Sequence, residues 1–199
     1  PSQLPQFFTE RSKVVLRKWI TRARYNAHMG DRERGYAHRV DIAGEVRATW
    51  LALTDAGHLR PWCAPVAQIR ARVGGLFRAS VDRVTELEAH IDVFDPERRM
   101  RLIYLPSPAL PAADSAIVAD FILEPGPPPA GGVIVRMLGM GVPDGREWDV
   151  PFKRMKVGWA AAMARLKVYV EKQMAAGAAT GGAAGAAVAP TSGAPGRRK

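Results

Sequence analysis

The stretch Val150–Gln173, VPFKRMKVGWAAAMARLKVYVEKQ, constrains the fold more than any other part of the chain. At about 100° per residue, Phe152, Met155, Trp159, Met163, Leu166 and Val170 share one face within about 80° of arc. Lys153, Arg154, Arg165 and Lys172 point well away from that stripe. A helix of these 24 residues runs about 36 Å, enough to cross a small domain. It must bury an aromatic ring and two methionines, so it needs a broad apolar partner. The expectation is a lid on a curved sheet, with the preceding chain supplying the sheet.

That preceding chain reads as a succession of strands. Tyr36–Ile42 alternates in the manner of a strand, and Gly44 and Glu45 open a short helix, EVRATWLALTD, with Val46, Trp50 and Leu53 on one side. Gly57 and Pro61 bound a second short turn or helix that carries Trp62. Six strands follow: Gln68–Val73, Leu76–Val84, Glu88–Phe94, Met100–Leu105, Ala116–Leu123 and Val133–Val142. Gly74-Gly75, Asp95-Pro96-Glu97 and the run Gly126–Gly132 are the turn signals between them. Phe77, Ala79 and Val81 alternate with Arg78, Ser80 and Asp82, while Ala89, Ile91 and Val93 alternate with Glu88, His90 and Asp92. One face buried and one solvated is the pattern of an antiparallel sheet. Seven such strands with the helices on one face make an α+β architecture.

Charge and composition divide the chain into a body and two ends. The net charge of +10 suggests a nucleic-acid partner until it is partitioned. Residues 1–39 hold nine Lys/Arg against three acids, and the end of the chain adds Arg197, Arg198 and Lys199. About one net positive charge is left for residues 40–173, so polyanion binding is expected only at the ends. The expected divisions are a basic, partly helical arm at 1–35, a folded domain at 36–173 and a disordered Ala/Gly-rich tail at 174–199. Thr9–Tyr25 carries Val15, Leu16, Trp19, Ile20 and Ala23 on one stripe. It either docks on the body or a partner, lies on an anionic surface, or precedes a natural start at Met29. It lacks the uncharged apolar core of a secretory signal. No run reaches the roughly 18 apolar residues of a membrane span. Cys63 stands alone, which excludes an intramolecular disulfide and fits a reducing, cytoplasmic setting.

Four elements together carry a resemblance: the first strand leading into EVRATWLALTDAGHLRPW, the GGLF hairpin at 74–77, DPERRMRL at 95–102 and GWAAAMARLKVYVE at 158–171. The pattern resembles the helix-grip or START-like (SRPBCC) superfamily. Within it the chain looks most like the bacterial branch related to the C-terminal domain of the heat-shock-90 ATPase activator. The resemblance implies a hydrophobic cavity between sheet and long helix, used by different members for lipids, polyketides or other apolar compounds. On that footing Trp62, Phe77, Tyr104, Met137, Met155, Trp159 and Met163 are the expected ligand-binding residues. Arg101, Asp120 and Arg136 fall by alternation on the solvated face, whereas Tyr104 shares the face of Met100 and Leu102. Gly158, which costs about 1 kcal/mol against Ala inside a helix, marks a close approach to the sheet or room left for a ligand.

Catalytic and metal signatures are missing. There is no G-x-S-x-G, H-E-x-x-H or P-loop, and GMGVPDG at 139–145 reads as a strand end and loop. His28, His38, His58 and His90 lack metal-ligand spacing, and Cys63 beside Trp62 reads as a small, partly buried hydrophobe. The leading expectation is therefore a binding protein for an apolar small molecule, without cofactor or metal. The alternatives are a polyketide-cyclase- or hydrolase-like enzyme using the same cavity, or a co-chaperone-like module binding a protein partner. A nucleic-acid partner is the least supported, since the body is neutral and its aromatics occupy core positions.

Overall fold

The computed structural model describes residues 32–80, 86–129 and 131–184. The expected arm helix at 9–25, the strand continuation at 81–84 and the chain end at 185–199 lie outside the described residues. Seven strands form one antiparallel sheet: β1 (Glu33–Ile42), β2 (Val66–Ile69), β3 (Leu76–Ser80), β4 (Glu86–Asp95), β5 (Arg99–Tyr104), β6 (Val118–Pro125) and β7 (Val133–Pro143). Their order across the sheet is β1-β7-β6-β5-β4-β3-β2, a meander to which the first strand is added beside the last. Two short helices, α1 (Val46–Thr54) and α2 (Ala56–Leu59), join β1 to β2. A 3₁₀ turn at Arg146–Trp148 leads from β7 into the long helix α3 (Asp149–Ala184). This is the helix-grip α+β architecture.

Local chemistry explains the joints. Asp55 closes α1 through its backbone N–H on Leu51 O, and its carboxylate then accepts from the N–H groups of Gly57 (2.8 Å) and His58 (3.1 Å) to start α2. Gly139 sits where the ring of Tyr36 crosses β7, so a Cβ there would come within 2.2 Å of the ring. Of the glycines of GMGVPDG, Gly139 and Gly141 lie at the end of β7 and Gly145 in the loop that follows, in keeping with the reading as a strand end and loop.

The inward face of the sheet and one stripe of α3 form the core. Met155, Trp159, Met163, Leu166 and Val170 are all buried, whereas Phe152 is only half-buried and edges onto Tyr36. Burying each of those five stabilises the fold by about 2 kcal/mol, an upper estimate because the unfolded chain already hides some surface. At the far end of the stripe the Glu171 carboxylate accepts from Ala43 N–H (2.9 Å) and Lys167 Nζ (2.7 Å), which ties α3 to the turn after β1.

Two boundaries differ from the sequence expectation. β1 begins at Glu33, so Arg34 belongs to the folded body rather than to a basic arm ending at 35. Helix α3 continues through Met174 to Ala184, where disorder was expected. Alanine carries the highest helix propensity, so a run poor in side-chain bulk can still propagate a helix already nucleated by packing.

The outer face carries a ladder of cross-strand ion pairs. Arg78 pairs with Glu88, Arg101 with Asp92, Arg99 with Asp120 (2.6 Å) and Arg136 with Glu124 (3.1 Å). The three pairs other than Arg99–Asp120 are part-exposed at both ends and worth about 0.2–1 kcal/mol each, so their main effect is to cancel charge along the sheet. Alternation places Asp120 on this face, yet the carboxylate is 1% exposed rather than solvated, because the Arg99 guanidinium grips both its oxygens.

His90, on β4 between Leu76 and Ile103, has no hydrogen-bond partner for Nδ1 among the described residues. Burial pushes its pKa below the ordinary 6.5, with Asp92 pulling weakly the other way. The neutral ring is favoured in the fold, so the unfolded chain takes up this proton first as pH falls. Stability should therefore drop from pH 7.5 to 5.5, and His90→Gln should reduce that drop in urea unfolding. An identical pH response in the two proteins would refute the assignment.

Candidate ligand cavity

Two neighbouring cavities open beside α3. The larger, about 940 Å³, lies between one flank of the helix and the β3–β4 part of the sheet. The helix presents Met155, Gly158, Trp159 and Ala162 to it, with Arg154 and Arg165 on its lining as well. Ala79, Glu86 and Leu87 of the strands, Cys63, and Leu110 of the β5–β6 connection complete the wall. The smaller cavity, about 460 Å³, lies under the proline-bearing segment Leu105–Ala113, with Tyr104, Ile117 and Trp148 beneath. Ser107 and Leu110 line both cavities. Each volume falls in the range of about 300–1,000 Å³ usual for small-molecule sites.

The seven sequence-expected residues divide between lining and packing. Met155 and Trp159 line the larger cavity, and Tyr104 lines the smaller. One hydrogen bond joins the two walls, Trp159 Nε1–H donating to Tyr104 Oη at 3.0 Å. Trp62, Phe77, Met137 and Met163 line neither cavity and are packed core residues. The Trp62 indole is spent on Ala52 O (2.9 Å), and its own carbonyl accepts from Arg165 Nε (2.7 Å). The physical reason is that periodicity identifies the inward face of an element, not which part of that face is left unfilled.

Gly158 resolves in favour of room. A Cβ built on it meets no atom within 4 Å, so this glycine leaves open space in the cavity rather than allowing a close approach to the sheet.

Other lining residues escaped the sequence reading. Leu110 sits in PSPALPAA, where no periodicity points it anywhere, and Leu87 lies near the edge of a strand only partly legible. Trp148 ends the 3₁₀ turn before α3. No local periodicity in the sequence marks it as a lining residue.

The electrostatics favour binding over nucleophilic chemistry at Cys63 and Tyr104. Burial pushes the Cys63 thiol up to about 12, against a weak pull from Arg165, so it carries little thiolate at neutral pH. Burial likewise holds the Tyr104 phenol well above its ordinary value, so it stays protonated and serves as a hydrogen-bonding group. Among the described residues no three His, Cys, Asp or Glu side chains stand close enough to hold a metal ion. No helix among them is long and apolar enough to cross a membrane.

Residues 45–171, from the start of α1 almost to the end of the packed part of α3, match the family of Activator of Hsp90 ATPase homolog 1-like proteins. The chain belongs to this family. Solved structures agree on the fold of this family member. A protein from Mesorhizobium loti superposes with a TM-score of 0.60 at 22% identity, over 70% of this chain and 98% of that one. The Aha1 dimer from Colwellia psychrerythraea gives 0.59 at 17% identity, over 69% and 96%. A norcoclaurine synthase mutant from Thalictrum, solved with a transition-state analogue, gives 0.56 at 13% identity, over 74% and 99%. At these identities the likeness concerns the fold. No curated protein sequence matches the chain at a significant level.

Proposed function

We propose that this member of the Activator of Hsp90 ATPase homolog 1-like family is a cytoplasmic binding protein for an apolar small molecule, taken up in the cavity beside α3. The observation that carries this reading is the space in front of Gly158: a long helix covers the sheet, yet on one flank it leaves about 940 Å³ lined mainly by apolar side chains. Methionine and small residues on such a wall suit ligands of varied outline. That a norcoclaurine synthase of similar fold was solved in complex with a transition-state analogue supports the reading at the level of the fold. Cross-strand pairing cancels the outer-face cations Arg78, Arg99, Arg101 and Arg136, which argues against a polyanion partner on that face.

The test is to fill the space without harming the fold. Gly158→Leu replaces a poor helix former with a good one and is expected to raise stability by about 0.5–1 kcal/mol. The isobutyl group would occupy the cavity, so affinity for diphenylhexatriene should fall at least tenfold while the unfolding midpoint holds or rises. Unchanged probe affinity in a well-folded Gly158→Leu protein would sink the proposal.

A further inference from the structure

We infer that the ligand is an apolar acid, and that the Arg165 guanidinium on the wall of the larger cavity binds its carboxylate. The inference rests on the binding function proposed above and adds the chemical class of the ligand. It starts from the charges around the cavity. Among the described residues, Glu86, Arg154 and Arg165 are the charged side chains on the lining. Glu86 is answered by Arg78 at 3.2 Å. Neither arginine meets a carboxylate among the described residues. Cations without a partner are common on a protein surface, but these two border about 940 Å³ of mainly apolar space.

The fold positions Arg165. Its Nε donates to Trp62 O at 2.7 Å, which fixes the base of the guanidinium beside Cys63, itself a lining residue. The side chain is exposed, and its two terminal NH₂ groups make no hydrogen bond among the described residues. Helical spacing supplies no acid either. Ala161, Ala162, Val168 and Tyr169 stand three and four residues away, whereas Lys167 has Glu171. Arg154 lines the same cavity about 16 Å back along α3, but no hydrogen bond among the described residues holds it. A donor already held in place loses less entropy on binding, which favours Arg165.

The donors left over select the anion. With Nε spent, the guanidinium offers one end-on pair of N–H groups, which matches the two oxygens of a carboxylate. A phosphate monoester brings nearly two charges and three oxygens, more than one such pair can answer. A cationic ligand would be repelled by both arginines. The rest of the wall sets the body of the molecule. Arg165 and Gly158 are seven residues apart, about 10 Å along α3 and within about 20° of the same direction. A carboxylate on Arg165 therefore leaves its apolar tail over the open space at Gly158, against Leu87, Leu110 and Trp159.

Three matched probes test this on the full chain: decanoate, decan-1-ol and decylammonium, each titrated at neutral pH by displacement of diphenylhexatriene. Decanoate should bind about fivefold tighter than decan-1-ol, with decylammonium weakest. Arg165→Gln should abolish that preference, and Arg165→Lys, which keeps the charge but not the fork, should retain less than half of it. Lys156→Gln removes an exposed cation of α3 that is not on the cavity lining, and should leave the preference intact. In the unaltered protein the carboxyl carbon resonance of bound, labelled decanoate should titrate at lower pH than that of the free acid, because the guanidinium favours the ionised form. That readout holds even if the Arg165 variants fail to fold. Equal affinity for acid and alcohol, a preference that survives Arg165→Gln, or a bound carboxyl that titrates no lower than the free one would each overturn the assignment. Binding of decan-1-ol that Gly158→Leu blocks, with no preference for the acid, would overturn this inference and leave the cavity function standing. Failure of diphenylhexatriene and all three probes to bind would overturn both.

Discussion

Trp159→Ala is expected to destabilise the protein by about 3–4 kcal/mol, a shift of about 10 °C in Tm for a domain of this size. The indole is 5% exposed, stacks edge-on against Phe121 at 5.3 Å and donates to Tyr104 Oη. Removing it enlarges an existing cavity, so the cost should sit towards the lower end of the range for a fully enclosed tryptophan. Trp159→Phe keeps the contact with Phe121 and loses only the hydrogen bond, so a loss of about 1 kcal/mol is expected. Denaturant unfolding separates the two cases. A loss below 1 kcal/mol for Trp159→Ala would mean that α3 is held chiefly by Met163, Leu166 and Val170, and that the indole is only cavity lining.

Arg34→Ala is the second large effect, and it is expected at a position that looks like part of a charged arm. The guanidinium reaches from β1 to Pro143 O, Gly145 O, Asp144 and Asp149, and lies 4.7 Å over the ring of Phe152. Hydrogen bonds from a charged donor to partly buried carbonyls are worth more than surface ion pairs, so a loss of about 2 kcal/mol is expected. Arg34→Lys keeps the charge but not the planar fork, and should recover less than half of it. Full recovery by lysine, read from the urea midpoint, would show that charge alone suffices there.

These two residues mark how far the sequence could be read. Trp159 was legible because it recurs with Met155, Met163 and Leu166 at helical spacing, and burial follows from spacing once a helix is long enough to need a partner. The same holds for Phe77 and Ala79, or Val133, Val135 and Met137, whose alternation states which way each side chain faces. Arg34 was not legible, since its partners lie 109 to 115 residues away and no local pattern links them. The same reasoning separates Met163 from Met155. Both belong to one stripe, but only the surroundings decide that Met155 borders open space while Met163 is enclosed. Asp120 faces as its position implies and is nevertheless buried, because alternation gives direction and says nothing of what a neighbour such as Arg99 lays over it.

The wall between the two cavities comes from a connection, not from the sheet. Ser107 and Leu110 belong to a segment that pairs with no strand and is stiffened by Pro106, Pro108 and Pro111. Changes there leave the strand register and the α3 stripe untouched. A shorter side chain at position 110 would merge the chambers into one long trough, and a bulkier one would seal them apart. Under the binding function proposed above, ligand preference can therefore drift by single substitutions in this connection, at the cost of whatever Leu110 contributes by packing against the core. In a scaffold arranged this way, selection can retune the cargo while the frame that carries it stays fixed.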